Sequence, residues 1–503
     1  LRCYFYGPLK NTQSSKQSSK QNNAKNKATI MSNPDFLAAC ANIVGAAYLL
    51  AEEADMAPFL TDWRGRFTGA ACAVVRPGST AEVAALVRLC QQYQVPIVPQ
   101  GGNTGLVLGS VPDQRGNALL ISLLRMNRIR HIDPINQTIT VEAGCLLAQV
   151  QQVAEEVQRL FPLSLGSEGS CSIGGNLSTN AGGTAVLRYG NMRELCLGLE
   201  VVTAEGEIWD GLRALRKDNT GYDLRDLFIG AEGTLGIISA AVLKLYPQPQ
   251  TRLTALVALP TVSDALGLFN LAQSNCGATL TGFELMSGLC LELVQQQFAQ
   301  LASPFGQAYA QYVLLELSDH EDQAHTQGLL ENLMTLALER GLICDAVVAT
   351  SLAQSQRLWQ IREHIPLAQA ADGKNIKHDI ALPLSNIAAF IEETEAALRL
   401  AFEGCRLVCF GHIGDGNLHF NVAAPQGGDA DAFLQHQAAI NRLVYDRVQH
   451  YRGSISAEHG IGALKPEELV YYKAPLEIAM MRKLKRAFDP HNLMNPGKVL
   501  GFK

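Results

Sequence analysis

Gly169-Ser170-Cys171-Ser172-Ile173-Gly174-Gly175-Asn176-Leu177-Ser178-Thr179-Asn180-Ala181-Gly182-Gly183 packs five glycines and several small polar residues into fifteen positions. A regular strand or helix interior made from such a stretch carries a heavy entropic cost, so the block reads as backbone laid against a large planar ligand. Two more glycine-dense segments flank it. Pro99-Gln100-Gly101-Gly102-Asn103-Thr104-Gly105 follows the short apolar run Ile97-Val98, with Gly109-Ser110 just beyond. Glycines so placed let consecutive backbone N–H groups face an anion such as a pyrophosphate. Asp218-Asn219-Thr220-Gly221-Tyr222 and Gly230-Ala231-Glu232-Gly233-Thr234-Leu235-Gly236-Ile237-Ile238 form the third segment. None has the G-x-G-x-x-G or G-x4-G-K-[ST] spacing, so Rossmann and P-loop sites are not expected.

Around these loops, residues 74–245 alternate strands and helices, which predicts an α+β domain. Thr80 is expected to cap a helix over 81–93. Strands are expected at 97–99, 138–143, 198–202 and 236–245, and an amphipathic helix over 146–160. Pro247-Gln248-Pro249-Gln250 punctuates the chain. Beyond it, strands at 254–259 and 312–317 and helices at 262–272, 323–340 and 430–451 predict a second strand-plus-helix lobe. The expected organisation is an extension at 1–35, a ligand-cradling domain at 36–247, a second domain at 248–455, and a closing segment at 456–503 that packs back on the first domain.

The first thirty residues are rich in Lys, Asn, Gln and Ser and have no acid before Asp35. They are expected to be disordered, with translation starting at Met31. No run approaches the roughly 20 apolar residues of a membrane span. The net charge of -6 speaks against general nucleic-acid binding but leaves room for a local basic clamp. Twelve cysteines are scattered without a C-x-x-C pair, so they read as reduced, buried small hydrophobes in a reducing, cytoplasmic setting.

Near the C-terminus, Gly411-His412-Ile413-Gly414-Asp415-Gly416-Asn417-Leu418-His419 brackets a glycine turn with two histidines. The segments 406–410 and 418–422 read as the arms of a hairpin, which brings the imidazoles together. Glu458, in Ser456-Ala457-Glu458-His459-Gly460-Ile461-Gly462, would add a carboxylate. His412, His419 and Glu458 then make a two-histidine, one-carboxylate set suited to zinc or a related divalent ion, with an open position for substrate. His459 is left free for proton transfer. From these residues alone, solvent-facing hairpin histidines are the competing reading.

Taken together, the P-x-G-G-N-T-G loop, the G-S-x-x-x-I-G-G-N-x-x-T-N-A-G-G block and G-A-E-G-T-L-G-I-I resemble the FAD-binding domain of the vanillyl-alcohol oxidase and p-cresol methylhydroxylase flavoproteins. The G-H-I-G-D-G-N-L-H and S-A-E-H-G-I-G segments are similar to the D-2-hydroxyacid dehydrogenase branch of that family, typified by D-2-hydroxyglutarate and D-lactate dehydrogenases. The resemblance runs from about Phe59 to the C-terminus. It implies a PCMH-type FAD-binding domain at 36–247, a cap domain for substrate at 248–455, and FAD along the three loops. The implied cofactor residues are Pro99, Gln100, Gly101, Gly102, Asn103, Thr104, Gly105, Gly109, Ser110, Gly169, Ser170, Ile173, Gly174, Gly175, Asn176, Thr179, Asn180, Gly182, Gly183, Glu232, Gly233, Gly236, Ile237 and Ile238. Asn495, in Asn495-Pro496-Gly497-Lys498, resembles the family's closing segment at the flavin. Residues 99–105 hold neither His nor Cys, where several relatives attach flavin through histidine, so the cofactor is expected to be noncovalent.

Arg362 offers a planar fork to a carboxylate and Lys377 a point charge, and both match positions that contact substrate in relatives. Pro366 departs from a threonine found there in some D-2-hydroxyglutarate enzymes. Asn421, two residues past His419, shares its strand face and is expected to contact the substrate or to support a residue that does. His378 is expected to line the site, His364 to be structural, and His436 and His450 to be solvated.

The expected reaction is oxidation of a D-2-hydroxy acid, with His459 as base, the metal on the hydroxyl and carboxylate, and hydride passing to flavin. D-2-hydroxyglutarate is the first expectation for substrate, with D-lactate and glycolate as alternatives. A zinc hydrolase or a noncatalytic flavin-binding module is the alternative from another class. No heme C-x-x-C-H or ferredoxin-like cysteine run occurs, so electrons are expected to leave to an electron-transfer flavoprotein or a quinone. A homodimer is also expected.

Overall fold

In the computed structural model, residues 34–501 are described; the expectations for disorder before residue 34 and a start at Met31 lie outside them. The chain is mixed α and β, as its pattern predicted. Besides a two-stranded pair, Arg159–Leu160 with Tyr246–Pro247, its first half holds two larger sheets. One is four-stranded, with Ala73–Val75 and Ile97–Gln100 each parallel to Leu119–Ser122. The other is an antiparallel five-stranded sheet in the order Ile129–Asp133, Thr138–Glu142, Ile237–Lys244, Cys196–Val202, Ile208–Gly211. The first glycine loop leaves the C-terminal end of Ile97–Gln100, the last strand in the order of the four-stranded sheet. Gln100 anchors it by donating side-chain hydrogen bonds to the carbonyls of Phe59 (2.8 Å) and Ser110 (2.9 Å).

The second half is an eight-stranded sheet in which Thr251–Leu259 pairs antiparallel with Gln311–Asp319 over nine residues. Its central strands are apolar on both faces because both are covered. Ala255, Val257 and Leu259 face a core shared with the helices Val262–Cys276, Gln323–Glu339 and Ile387–Ala401. Leu256 and Ala258 face the opposite core, shared with Gly288–Gln297 and Leu352–Glu363. Arg406–Gly411 and Asn417–Ala423 form the expected hairpin, with Phe410 opposite His419 and Gly416 at φ 87° in the turn. After the helix Pro475–Phe488 the chain returns to the first half. Met494 bridges to Ile97, and Lys498 donates to the Val111 carbonyl at 2.7 Å.

Four local expectations are corrected. The helix Thr80–Tyr93 is capped by Ser79, whose hydroxyl accepts from Glu82 N–H; the Thr80 hydroxyl instead donates to Glu200 at 2.6 Å. The glycine block contains a real helix, Ile173–Ser178, because its glycines answer to space rather than to irregular backbone. A Cβ on Gly174 would lie 2.7 Å from the Ala143 methyl, and one on Gly101 would lie 2.1 Å from Ser172 Oγ. The expected helix at 430–451 is broken into Ala430–Phe433 and Gln437–His450 by a 3-10 turn. The turn around Asp218 is no part of a cradle: Tyr222 is 95% exposed there and Asp218 pairs with Arg213. The described cysteines are all free and, apart from Cys344, buried. No helix among the described residues is long and apolar enough to cross a membrane.

Candidate active site

A cleft of roughly 870 Å³, counting its open mouth, runs along the first half. Of the expected cofactor residues, Pro99 through Gly105, Gly109, Ser110, Gly174, Gly175, Asn176, Thr179, Glu232, Gly233, Gly236, Ile237 and Ile238 line it. Ser172, Ser178, Leu123 and Val107 line it too and were missed; Ser172 carried a signal, as a helix-capping serine before the glycine pair. Gly169, Ser170, Ile173, Asn180, Gly182, Gly183 and Asn495 do not line this cleft. Gly169 faces open space, and the others pack around the cleft. A Cβ on Gly102 would sit 1.9 Å from the Ser170 carbonyl oxygen, Ile173 is fully buried, and Asn180 accepts from Arg193 N–H. Gly183 presses on the Ser164 carbonyl, and Gly182 approaches Glu458. Asn495 donates to the carbonyls of Gly109 and Glu232, both at 2.8 Å. The narrow, glycine-walled cleft with a helix N-terminus at one side has the form and donors a dinucleotide cofactor needs.

A second cavity, roughly 1830 Å³ with its mouth, opens in the other half. Arg362, Pro366, Lys377, His378, Asn421, His419, Glu458 and His459 line it. Only His459 and Val107 line both cavities. Pro366 sits in the first turn of the helix Ile365–Asp372, where its missing N–H has no intrahelical partner to lose.

Between the cavities lies a group of imidazoles and carboxylates. Asp379, His419, Glu458 and His459 present ligand atoms within 4.8 Å of one another. His412, one of the three expected ligands, stands beside this set, its ring 6.1 Å from that of His419. The two carboxylates act from opposite sides. Asp379 faces the Nδ1 atoms of His419 (3.9 Å) and His459 (3.6 Å), whereas Glu458 Oε1 faces their Nε2 atoms, at 3.8 Å each. Glu284 faces Nδ1 of His412 at 2.5 Å. All three rings therefore have a carboxylate behind Nδ1, the arrangement that orients histidine ligands and bases.

Glu284 was not foreseen. It is fully buried and joins two expected site residues, accepting from Arg362 Nε at 2.9 Å while holding His412. Burial alone would raise its carboxyl pKa, but His412 and Arg362 together bring it down to about 2. Burial likewise opposes a charged His412, and Glu284 overrides it, lifting the imidazole to about 9. Arg362 also lies over the Phe410 ring, 4.7 Å from its centroid, so one face of its fork is fixed. Asn421 donates to Gln369 Oε1 at 3.0 Å and accepts from the His378 N–H. His378 lines the cavity as expected, but both ring nitrogens are bonded, to the Phe420 carbonyl and Asn441, and burial lowers it to about 4. His364 is held by the Gln360 carbonyl, and His436 and His450 are exposed, as read from the sequence.

Two buried carboxylates fix the segment carrying Glu458 and His459. Asp379 Oδ2 accepts the N–H groups of Ala457, Glu458 and His459 at 3.2, 3.0 and 2.9 Å. Burial opposes its charge, yet His459, His419 and these N–H groups hold its pKa well below the usual carboxylate range. Glu232 reaches over from the glycine-walled cleft and accepts from Ile461 and Gly462 N–H at 2.8 and 2.7 Å. Its carboxylate is thus spent on this segment. Gly460 (φ 81°) and Gly462 (φ 52°) are required here: a Cβ would meet Glu232 Oε1 at 2.7 Å and the Val107 carbonyl oxygen at 2.0 Å respectively.

Comparison with known proteins gives matches to two family models. The FAD binding domain matches residues 71–211, and the C-terminal domain of FAD linked oxidases matches residues 248–499. D-2-hydroxyglutarate dehydrogenase of Xanthomonas citri pv. viticola is 39% identical over 93% of the chain and 97% of its own length. The mitochondrial D-2-hydroxyglutarate dehydrogenase of Rattus norvegicus is 38% identical over 87% and 80%. Among solved structures, p-cresol methylhydroxylase with substrate bound superposes with a TM-score of 0.74 at 17% identity, covering 93% of this chain and 96% of its own. An alkyldihydroxyacetonephosphate synthase gives 0.70 at 17% identity over 92% and 84%. These two share the fold.

Proposed function

The chain belongs to the FAD-linked oxidases and is an FAD-dependent D-2-hydroxyacid dehydrogenase, and from that premise we propose D-2-hydroxyglutarate as its substrate and His459 as the base. The observation that carries this reading is the position of His459, which lines both the cofactor cleft and the acid-binding cavity.

FAD, bound without a covalent link, supplies a hydride acceptor; the glycine loops and the Ile173–Ser178 helix would hold it. A divalent ion, zinc by the donor set, would be held by His419 and Glu458, whose ligand atoms converge, with His412 as third ligand from beside them, and would supply positive charge beside the substrate hydroxyl. The chain's own groups do the rest. Arg362, fixed by Glu284 and Phe410, pairs with a substrate carboxylate, and Lys377 adds a charge further along the cavity. Asn421 presents a fixed amide to the same space. The Asp379 carboxylate favours the His459 tautomer with its proton on Nδ1, which leaves Nε2 basic. His459 Nε2 takes the hydroxyl proton as the neighbouring α-hydrogen departs towards the cofactor. Electrons then leave for a separate acceptor, an electron-transfer flavoprotein or a quinone.

The test is a panel of D-2-hydroxyglutarate, D-lactate, D-malate and glycolate assayed with a dye acceptor, with metal content measured in parallel. The expected result is the highest kcat/KM for D-2-hydroxyglutarate, near-stoichiometric divalent metal, and loss of turnover on chelation with recovery on add-back. Full activity in metal-free protein would remove the ion from the reaction, and preference for D-lactate or glycolate would overturn the substrate.

Glu284→Gln separates orientation from bulk structure. Gln can still meet Arg362 Nε, but it cannot balance Arg362 and His412. Losing one member of a buried charge set costs about 3–5 kcal/mol. Bound metal is expected to fall and KM for the acid to rise along with a lower Tm. A drop in Tm with metal content and KM both intact would make Glu284 structural only.

A further inference from the structure

The acid-binding cavity has a third wall, contributed by the FAD-binding half. Residues 61–68, Thr61-Asp62-Trp63-Arg64-Gly65-Arg66-Phe67-Thr68, form a small hairpin closed by an antiparallel bridge between Thr61 and Thr68. It is stiff for its size. The buried carboxylate of Asp62 accepts the N–H groups of Arg64, Arg66 and Phe67 at 3.0, 2.7 and 2.6 Å. Asn103, in the first glycine loop, donates to the Thr61 carbonyl at 2.8 Å and so ties the hairpin to the cofactor cleft. Asp62, Arg64, Arg66 and Phe67 line the same cavity as Arg362, Lys377 and His459.

The charges on this wall are unbalanced. Arg362 is matched by Glu284, and Lys465 donates to the Ile455 carbonyl. Among the described residues, Arg64, Arg66 and Lys377 make no ion pair, although all three face one cavity. Of the acids on this cavity, Asp62 is bonded to the hairpin backbone and offsets part of the Arg64 charge, Asp379 holds the amides of 457–459, Glu458 faces the imidazoles, and Glu468 acts on Lys465. Burial first, and then Arg64 and Arg66, push the Lys377 ammonium down to about 8. Three converging cations repel one another, and a bound anion relieves that repulsion.

Resting on the dehydrogenase reading above, we propose that Arg64 and Arg66 complete, with Lys377, a subsite for a second carboxylate of the substrate, so that the enzyme selects D-2-hydroxy diacids over monoacids. The first carboxylate belongs to Arg362, beside the imidazole group. The second reaches the hairpin, which supplies bidentate donors on the cavity that Pro366 lines without a hydroxyl. Specificity then depends on both halves of the chain: the second half aligns the reacting carbon, and the first half measures the length and charge of its tail.

The test is Arg64→Gln/Arg66→Gln in the flavin-loaded enzyme. Asp62 binds the hairpin through backbone N–H groups, so the fold and flavin content are expected to be kept. The kcat/KM for D-2-hydroxyglutarate is expected to fall about 10- to 100-fold, mainly through KM, as for loss of charged hydrogen bonds. The value for D-lactate is expected to fall less than about threefold on the same scale. Binding of glutarate, followed by flavin absorbance, is expected to weaken in parallel, with little change for butyrate. Equal losses for diacid and monoacid, or unchanged glutarate binding, would overturn the subsite. A wild-type enzyme that oxidises no D-2-hydroxy acid yet binds glutarate through the two arginines would sink the dehydrogenase reading and leave the subsite standing.

Discussion

His459→Asn is expected to lower turnover by about 10²- to 10⁴-fold, the usual worth of a positioned general base. Asparagine fits the space but has no atom that can take the hydroxyl proton near neutral pH. The substitution leaves the backbone N–H of residue 459 on Asp379, so the segment 456–462 keeps its course. FAD content and glutarate binding are therefore expected to stay near wild type, and the loss to appear in the rate of flavin reduction by substrate under single-turnover conditions. Because His459 Nε2 lies 3.8 Å from Glu458 Oε1, the variant also tests whether this imidazole is a ligand instead. A ligand role predicts lost metal. An unchanged reduction rate would falsify the base assignment.

Gly102→Ala is expected to give protein that purifies with little or no flavin. The added methyl would lie 1.9 Å from the Ser170 carbonyl oxygen and 2.9 Å from the carbonyl carbon, both backbone atoms that no rotamer change can move. The loop must then retreat into the cleft it lines, taking its N–H groups out of position. Strain of this kind typically costs about 1–3 kcal/mol in stability, which a domain of this size can absorb, whereas a displaced cradle loses the cofactor. Gly169→Ala is the control. A Cβ there meets nothing within 4 Å, and the residue does not line the cleft, so its flavin content is expected to match wild type. Full flavin in Gly102→Ala would mean that the loop and the Ser170 segment separate more easily than their contact implies.

What the chain disclosed by its order of residues, and what it hid, divide along physical lines. The hairpin carrying His412 and His419 was readable because alternating apolar residues and a Gly416 turn are local signals. So were the glycine loops, although their reason was only half legible: Gly101 and Gly174 are small because Ser172 and Ala143 press on them, and such contacts span up to 71 positions. Glu284 lay beyond this kind of reading, since its partner His412 is 128 residues away. Its one trace was an acid inside the apolar strand Leu280–Ser287, where burial demands a counter-charge. Asp379 was hidden in another way. It stands next to His378 in the chain, but its partners are backbone N–H groups, which leave no mark on residue identity. The Arg64 and Arg66 hairpin escaped because it belongs to the cofactor half and acts on the other.

The segment 456–462 has the composition of a loose loop, yet five of its backbone N–H groups are met by buried carboxylates, at 457, 458 and 459 by Asp379 and at 461 and 462 by Glu232. Fixing one residue's backbone costs about 1–2 kcal/mol in entropy. Here that cost falls on folding, where it is met once in the life of the molecule, and none of it recurs in each catalytic cycle. The barrier to proton removal therefore contains little ordering of the base, and substrate arrives at a proton acceptor that is already still.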